Sequence, residues 1–170
     1  MFCWTLAHKS ILSGENLKKR GMEGPTRCPL CKSKKETSDH IILGCQFSKE
    51  VWIEAMRLNP SINLPDTIQV LFSNWMNLSP FQLANKTMLQ MAWKWFPKAI
   101  CWKIWIERNN RIFRDQENQP SKIAIQARAI PGEALDHILS LKDTTQLLPA
   151  ESHSTSSNLA NSTSDCSMGN

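Results

Sequence analysis

The chain has 170 residues, of which 41% are hydrophobic and 21% charged, and its 20 basic against 15 acidic side chains give a net charge of +5. This composition is typical of a globular protein and excludes a wholly disordered chain, and the length suits one compact domain with an appendage. The first twelve residues lack a basic leader, and the most apolar window, residues 88–106, contains three lysines and a proline. The sequence thus predicts neither a secretory signal nor a transmembrane helix, and we expect an intracellular protein of the nucleus or cytoplasm with no membrane partner.

Residues 1–58 form the first predicted unit. Apolar spacing predicts a helix over residues 2–12, and residues 15–21 are typical of a short helix that ends at a glycine. A helix is predicted to begin at Ser38 and to be interrupted at Gly44-Cys45. An amphipathic helix is predicted to follow over residues 48–58.

Residues 59–85 form a nearly uncharged spacer with a short helix at 66–75, and residues 86–145 form a helical extension. In this extension a helical pattern runs to Phe113, with either a kink or a new helix at Pro97. A last helix is predicted over 122–141, interrupted at Pro131-Gly132. The polar residues 146–170 have little to bury and are predicted to be disordered.

Apolar residues on the tryptophan-rich stretch recur at steps of four and three, which predicts one buried helical face. The residues in this pattern are Met88, Ala92, Trp95, Ala99, Trp102 and Ile106. Large aromatic side chains bury about 150–250 Å² each. We therefore expect the core to be dominated by Trp52, Trp95, Trp102 and Trp105.

Four residues of types that bind metals lie within eighteen positions: Cys28, Cys31, His40 and Cys45. Three thiolates and an imidazole suit a tetrahedral zinc ion, and four protein ligands leave no open position for catalysis. The alternatives are a disulfide framework, a redox pair and chance. The absence of a secretory signal argues against disulfides, and the lack of a preceding buried strand argues against a redox pair. The close spacing of four ligands argues against chance. The prediction is one structural Zn²⁺ in an all-α fold, a small zinc-stabilised helical module packed with the tryptophan-rich helix.

The order of several short segments also resembles a known family. These segments are Phe2-Cys-Trp4, Leu17-Lys-Lys-Arg-Gly21, Cys28-Pro-Leu-Cys31, Glu36-Thr-Ser-Asp-His40, Cys45 with Phe47, Val51-Trp52, and the Trp102 to Phe113 run. Together they resemble the zinc-binding domain that follows the reverse transcriptase in plant LINE-type (non-LTR) retrotransposons. The resemblance covers roughly residues 2–114 and implies the same four zinc ligands.

The chain departs from that family at both sides of the domain. An amphipathic segment that usually precedes the Phe-x-Trp helix is missing before Met1, so we expect the domain to be clipped there. The chain has no tyrosine, hence no Tyr-x-Asp-Asp polymerase motif, and the spaced carboxylates of a ribonuclease H domain are absent. With no catalytic residues to name, we expect a non-enzymatic retroelement remnant.

Basic residues are concentrated in two blocks, with ten basic and six acidic side chains over residues 1–58 and nine basic and three acidic over 86–128. Such asymmetry favours a polyanion partner, here the backbone of RNA or DNA contacted without sequence readout. The candidate contacts are Lys18, Lys19, Arg20, Lys32, Lys34, Lys35, Arg108, Arg111 and Arg114. Alternatively, Arg108 pairs with a carboxylate of the zinc module, and the chain is a helical protein-interaction or vestigial fragment that binds no nucleic acid.

Overall fold

The computed structural model of the chain describes residues 1–57, 64–75 and 87–132. Within these ranges the protein contains six α-helices and one π-helix. They are α1 (Phe2–Ala7), α2 (Gly14–Lys19), the π-helix (His40–Gly44), α3 (Gln46–Met56), α4 (Ile68–Asn74), α5 (Thr87–Phe113) and α6 (Pro120–Arg128). The described residues hold no β-strand, and their sole β-type pairing is the isolated bridge between Arg27 and Lys35. The predicted all-α class is confirmed.

Several predicted boundaries need adjustment. Helix α1 ends at Ala7 rather than near residue 12, because Lys9 takes a left-handed conformation (φ 52°) and turns the chain away. Helix α2 ends as expected, with Gly21 at φ 71° two residues beyond it. Helix α6 begins with Pro120 in its first turn and ends at Arg128, just before the predicted interruption at Pro131-Gly132, and the rest of that predicted helix, up to residue 141, lies outside the described residues.

Part of the predicted organisation lies outside the described residues. This applies to most of the spacer at 59–85, to the segment 133–145 and to the tail at 146–170. None of the helices in the described part of the chain combines the length and the apolar character that a membrane span requires.

Helix α5 continues through Pro97 instead of restarting there. A proline has no N–H, so the carbonyl of the residue four positions earlier, Trp93, loses its helical partner. The indole Nε1–H of Trp75 donates to that carbonyl at 2.7 Å, and the indole of Trp93 donates in return to the carbonyl of Trp75 at 3.3 Å. Trp75, the residue directly after α4, thus supplies the hydrogen bond to the Trp93 carbonyl that Pro97 cannot make.

The aromatic core differs from the predicted one. Trp52, Trp75, Trp93 and Phe96 are buried, with ring centroids 4.8 Å apart for the stacked Trp75–Trp93 pair and 6.0 Å apart for Trp52–Trp75. Trp52 therefore fits the prediction, and Trp105 packs partly buried against the core.

Trp95 and Trp102 were predicted to be buried but are 53% and 41% exposed, so this part of the prediction is wrong. The buried face of α5 runs instead through Trp93, Phe96, Ile100 and Ile104 and continues into Glu107 and Arg108. The prediction ended the buried face at Ile106 and assigned Arg108 to a surface that contacts nucleic acid. In the fold the charged end of this face is buried because its side chains form ion pairs inside the protein.

The Trp75–Trp93 exchange leads to a first prediction. Trp75→Phe should leave the Trp93 carbonyl buried without a donor and lower the free energy of unfolding by about 1–3 kcal/mol, measured by chemical denaturation. Trp95→Phe, at an exposed position, is the matched control and should change stability by less than about 0.5 kcal/mol.

A double-mutant cycle with Pro97→Ala tests the physical cause. Alanine at position 97 restores the helical N–H for the Trp93 carbonyl, so Trp75→Phe should cost less in that background than in the wild type. An equal cost in both backgrounds would show that the indole contributes packing alone.

Candidate metal centre

The first two predicted ligands lie on a tight loop, residues 28–35, which we call the zinc loop. The Cys28 N–H donates to the Lys34 carbonyl at 2.8 Å, and the Lys32 N–H donates to the Cys28 carbonyl at 2.7 Å. Lys32 adopts a left-handed conformation at φ 57°, which reverses the chain directly after Cys31. These backbone bonds fold the loop so that both sulfurs face the same point.

The other two ligands lie at the two ends of the π-helix. The Cys45 N–H donates to the His40 carbonyl at 2.7 Å, a bond between residues five apart. In a regular α-helix two such residues would point about 140° apart, whereas the wider π turn brings them towards the same side. The sequence predicted only an interruption of the helix here. The π turn allows two ligands with four residues between them to face the same metal ion.

Side chains of α3 hold the π-helix in place. The Ser48 hydroxyl donates to the Ile41 carbonyl, and the Trp52 indole Nε1–H donates to the Ile42 carbonyl at 3.0 Å. All four of these residues are buried, so the irregular turn keeps its backbone carbonyls hydrogen-bonded without water.

The four ligand atoms lie within 4.8 Å of one another, as the sequence predicted. The sulfurs of Cys28 and Cys45 are 3.9 Å apart, and the Cys31 sulfur is 3.4 Å from His40 Nε2. Zinc–ligand bonds of about 2.3 Å to sulfur and 2.0–2.1 Å to nitrogen place tetrahedral ligand atoms about 3.5–3.8 Å apart. A disulfide would need sulfurs about 2.05 Å apart, so the geometry fits a metal and no cystine.

The two sulfurs of the Cys28–Cys45 pair differ in how readily they form the thiolate that a metal needs. The pKa of Cys45 is lowered, first by the hydrogen bond from the Cys28 thiol and then by the backbone N–H groups of Ser48 and Phe47 at the start of α3. As the donor in that shared bond, and because it is buried, Cys28 has a raised pKa. Metal binding would require Cys28 to lose its proton, because the thiolate is the form that binds zinc.

The remaining two ligands are also prepared for metal binding. Burial raises the pKa of Cys31, but hydrogen bonds from the Lys34 and Ser33 backbone and from the Ser33 hydroxyl outweigh it, so the pKa of this thiol is lowered. Burial, together with the positive charge of Lys34, lowers the pKa of His40, which favours the neutral imidazole. A neutral imidazole is the form that binds zinc.

The cluster is a structural centre for one Zn²⁺, with three sulfur ligands and one nitrogen ligand. Residues 1–52 match the family model described as zinc-binding in reverse transcriptase, and this stretch contains all four ligands. No curated protein matches the chain, and no solved structure matches it.

A buried ion pair connects the zinc module to α5. The Glu36 carboxylate, four residues before His40, accepts two hydrogen bonds from Arg108, at 2.7 Å from Nε and 3.0 Å from Nη2. The Gly14 N–H at the start of α2 donates to the same carboxylate at 2.6 Å. The side chains of Glu36 and Arg108 are 0% and 3% exposed, so this bidentate pair lies in the protein interior.

A second buried carboxylate places Arg111 against the zinc loop. Glu107 accepts from Arg111 Nε at 2.9 Å and from the backbone and side-chain amides of Asn118 at 2.8 Å each. Arg111 Nη1 then donates to the Leu30 carbonyl at 3.0 Å, and its guanidinium lies 4.5 Å from the centroid of the Phe47 ring. Arg111 therefore holds the backbone between the first two zinc ligands.

These contacts correct part of the predicted nucleic-acid surface. Arg108 and Arg111 were expected to form an exposed basic stripe with Arg114, but they are buried in ion pairs and Arg114 alone is exposed. The alternative prediction, that Arg108 pairs with a carboxylate of the zinc module, is confirmed. The other candidate residues are exposed: Lys18, Lys19, Arg20, Lys32, Lys34 and Lys35.

Two of the exposed lysines have an acidic neighbour. Lys19 pairs with Glu15 at 2.9 Å, and Lys32 pairs with Glu117 at 2.6 Å. Both pairs are exposed, and such pairs contribute about 1 kcal/mol or less, so either lysine can exchange its partner for another anion. Glu117 lies on the loop between α5 and α6, so Lys32 also links the zinc loop to that connection.

Three structural residues, Glu36, Glu107 and Asn118, were not among the predicted site residues. A signal for Glu36 was present, since it begins the Glu-Thr-x-x-His segment that contributes to the family resemblance. Nothing comparable marked Glu107, because a glutamate beside two arginines is common on a solvated helix face.

A second prediction concerns the metal. Native mass spectrometry in reducing buffer should show one zinc per chain, and Cys31→Ser or His40→Ala should abolish binding and unfold residues 17–58, because such sites supply about 10–16 kcal/mol of folding free energy. Cys3→Ser, outside the ligand set, should retain the metal. Absence of metal from the reduced wild-type protein would contradict the assignment.

A third prediction concerns the buried ion pair. Arg108→Met leaves the Glu36 carboxylate buried without its cation and should destabilise the protein by about 3–5 kcal/mol in chemical denaturation. Arg114→Met, at an exposed arginine directly after the same helix, should have little effect. Adding Glu36→Gln, which removes the charge but keeps an acceptor for Gly14, should recover part of the loss. If both arginine variants are equally stable, Arg108 does not join the two parts of the fold.

Proposed function

We propose that this chain is a non-catalytic zinc module derived from a plant LINE-type retrotransposon, and that it contacts the backbone of RNA or DNA without reading the sequence. The family match over residues 1–52 supports an origin in a reverse transcriptase zinc-binding domain. The closed ligand set supports a structural role for the metal, because four protein ligands leave no coordination position for water or substrate. In this proposal the protein acts inside the cell, where its nucleic-acid partner is found.

One observation carries the proposal: three exposed lysines lie on the zinc loop, whose backbone is fixed from two sides. Lys32, Lys34 and Lys35 follow the second ligand. The metal fixes this loop from within, and Arg111 hydrogen-bonds the Leu30 carbonyl from α5. Cations on a fixed backbone can contact phosphates at a lower entropic cost than cations on a mobile tail.

The charge balance near the loop supports the same partner. Lys34 and Lys35 form no ion pair with another residue in the described ranges, and the Lys32–Glu117 pair is exposed and weak. Arg27 is exposed and pairs through its backbone with Lys35, which adds a further cation at the same end of the loop. Phosphate contacts of this kind give affinity but carry no base readout.

A fourth prediction tests the proposal. Replacing Lys32, Lys34 and Lys35 by Ala should weaken RNA binding. It should also reduce the slope of log K against log salt, by roughly 0.7–0.9 for each of up to three lost phosphate contacts. Fluorescence anisotropy with labelled RNA, on protein of verified zinc content, measures both quantities.

The matched control removes the same charge elsewhere on the protein. Lys94, Lys98 and Lys103 precede Arg108 along α5, and their replacement by Ala should leave most of the slope intact. Equal loss in both variants would indicate a general charge effect rather than a binding loop. No RNA binding by the zinc-loaded wild type at low salt would overturn the proposal and favour the alternative, a protein-interaction or vestigial fragment.

A further inference from the structure

The three lysines of the zinc loop differ in what faces them. Lys34 and Lys35 form no ion pair with another residue in the described ranges, whereas Lys32 Nζ donates to Glu117 Oε1 at 2.6 Å. This contact joins residues 85 positions apart in the chain, from the zinc loop to the connection between α5 and α6. One of the three proposed phosphate contacts therefore already holds an anion that belongs to the protein.

The Glu117 carboxylate lies between two cations. Its Oε1 accepts from Lys32, and its Oε2 is 3.9 Å from Arg111 Nη1. The hydrogen bond from Lys32 first, and then the charge of Arg111, lower the pKa of Glu117, so the carboxylate is ionised at neutral pH. A phosphate diester carries the same charge, also on two oxygens bonded to one atom, and lysine and arginine bind both kinds of anion. Exchange of the carboxylate for a phosphate would therefore leave the charge balance at this position unchanged.

The backbone on both sides of Glu117 is hydrogen-bonded, whereas its side chain is free to move. The Gln116 N–H donates to the Asn110 carbonyl at 3.3 Å, and the Asn118 N–H donates to the buried Glu107 carboxylate at 2.8 Å. The Glu117 side chain is 52% exposed, so it can leave Lys32 by rotation of its own bonds while the connection stays in place. An anion tethered beside its cation has a high effective concentration, which an external phosphate has to overcome.

A cleft beside this contact leaves room for a phosphate-bearing ligand. It has a volume of about 410 Å³ and lies between the zinc loop, the start of α3 and the α5–α6 connection. Its lining includes Cys31, Phe47, Arg111 and Glu117. A phosphate that took the place of the Glu117 carboxylate would thus meet open space rather than packed protein.

We propose that Glu117 is an intramolecular competitor for nucleic-acid phosphate: its carboxylate occupies the position at Lys32 where a phosphate would bind, and RNA has to displace it. Lys34 and Lys35 are open to phosphate, whereas Lys32 becomes available only when Glu117 moves away. The inference rests on the proposed function, because it concerns the same lysines and the same partner. It adds a residue that weakens the binding and that lies outside the basic blocks of the loop.

The test compares Glu117→Gln with the wild type, both loaded with zinc, in fluorescence anisotropy with a labelled oligouridine. The variant should bind by up to about fivefold more tightly, because the phosphate no longer has to break an exposed ion pair. Its slope of log K against log salt should be steeper by up to about 0.7, because in the wild type the displaced Glu117 takes up a cation and offsets the release of one counterion from the RNA.

Asp115→Asn is the matched control. It removes the same charge from another exposed position on the α5–α6 connection, and the left-handed backbone there (φ 50°) suits asparagine. This variant should change the affinity and the slope much less than Glu117→Gln does.

A double-mutant cycle separates local competition from a general effect of charge. In a Lys32→Ala background the gain from Glu117→Gln should disappear, because the contested cation is gone. In a Lys34→Ala background the gain should persist. The zinc content of every variant is measured alongside, so that a loss of the loop structure is recognised.

Two results would overturn the inference and leave the proposed function standing. In the first, the wild type binds RNA and Glu117→Gln binds no more tightly than Asp115→Asn. In the second, the gain from Glu117→Gln persists without Lys32. If no variant binds RNA at low salt, the proposed function itself fails, and this inference fails with it.

Discussion

The zinc centre is the constraint from which the N-terminal half of the fold is built. Its four ligands come from two backbone shapes that have little stability alone, a tight loop with a left-handed Lys32 and a single π turn. One ion that needs four ligands in a tetrahedron makes both shapes mutually dependent, and its binding free energy exceeds the net stability of a typical domain. The helices α1 and α2, six residues each, are too short to be stable alone: Glu36 holds the start of α2, and α1 packs against α4 and α5.

The two buried carboxylates extend that framework to α5. Glu36 lies between the zinc loop and His40, and it binds Arg108 of α5 and the backbone at the start of α2. Glu107 orients Arg111, which in turn binds the loop carbonyls between the first two ligands. The charged residues Glu107, Arg108 and Arg111, which in the sequence resemble a solvated helix face, thus connect the metal module to α5.

This arrangement divides the basic residues of the chain into two groups with different roles. Arg108 and Arg111 satisfy buried partners, whereas the lysines of the zinc loop remain at the surface on a backbone that those arginines help to hold. The proposed phosphate contacts therefore depend on the buried pairs through the shape of the loop. The proposed contacts depend on the metal for the same reason, because two of the metal ligands, Cys28 and Cys31, lie on this loop.

The sequence by itself determined the zinc ligands, the all-α class and the approximate positions of most helices. Ligand type and spacing are local properties, and apolar periodicity marks a helix wherever it occurs. Tertiary structure alone decided which face of α5 is buried. The stretch from Trp93 to Trp105 is apolar on more than one side, so periodicity could not separate the buried Trp93 from the exposed Trp95. The choice depends on long-range partners, namely Trp75 for the carbonyl that Pro97 leaves free and Glu36 for Arg108, which lie 18 and 72 residues away in the chain.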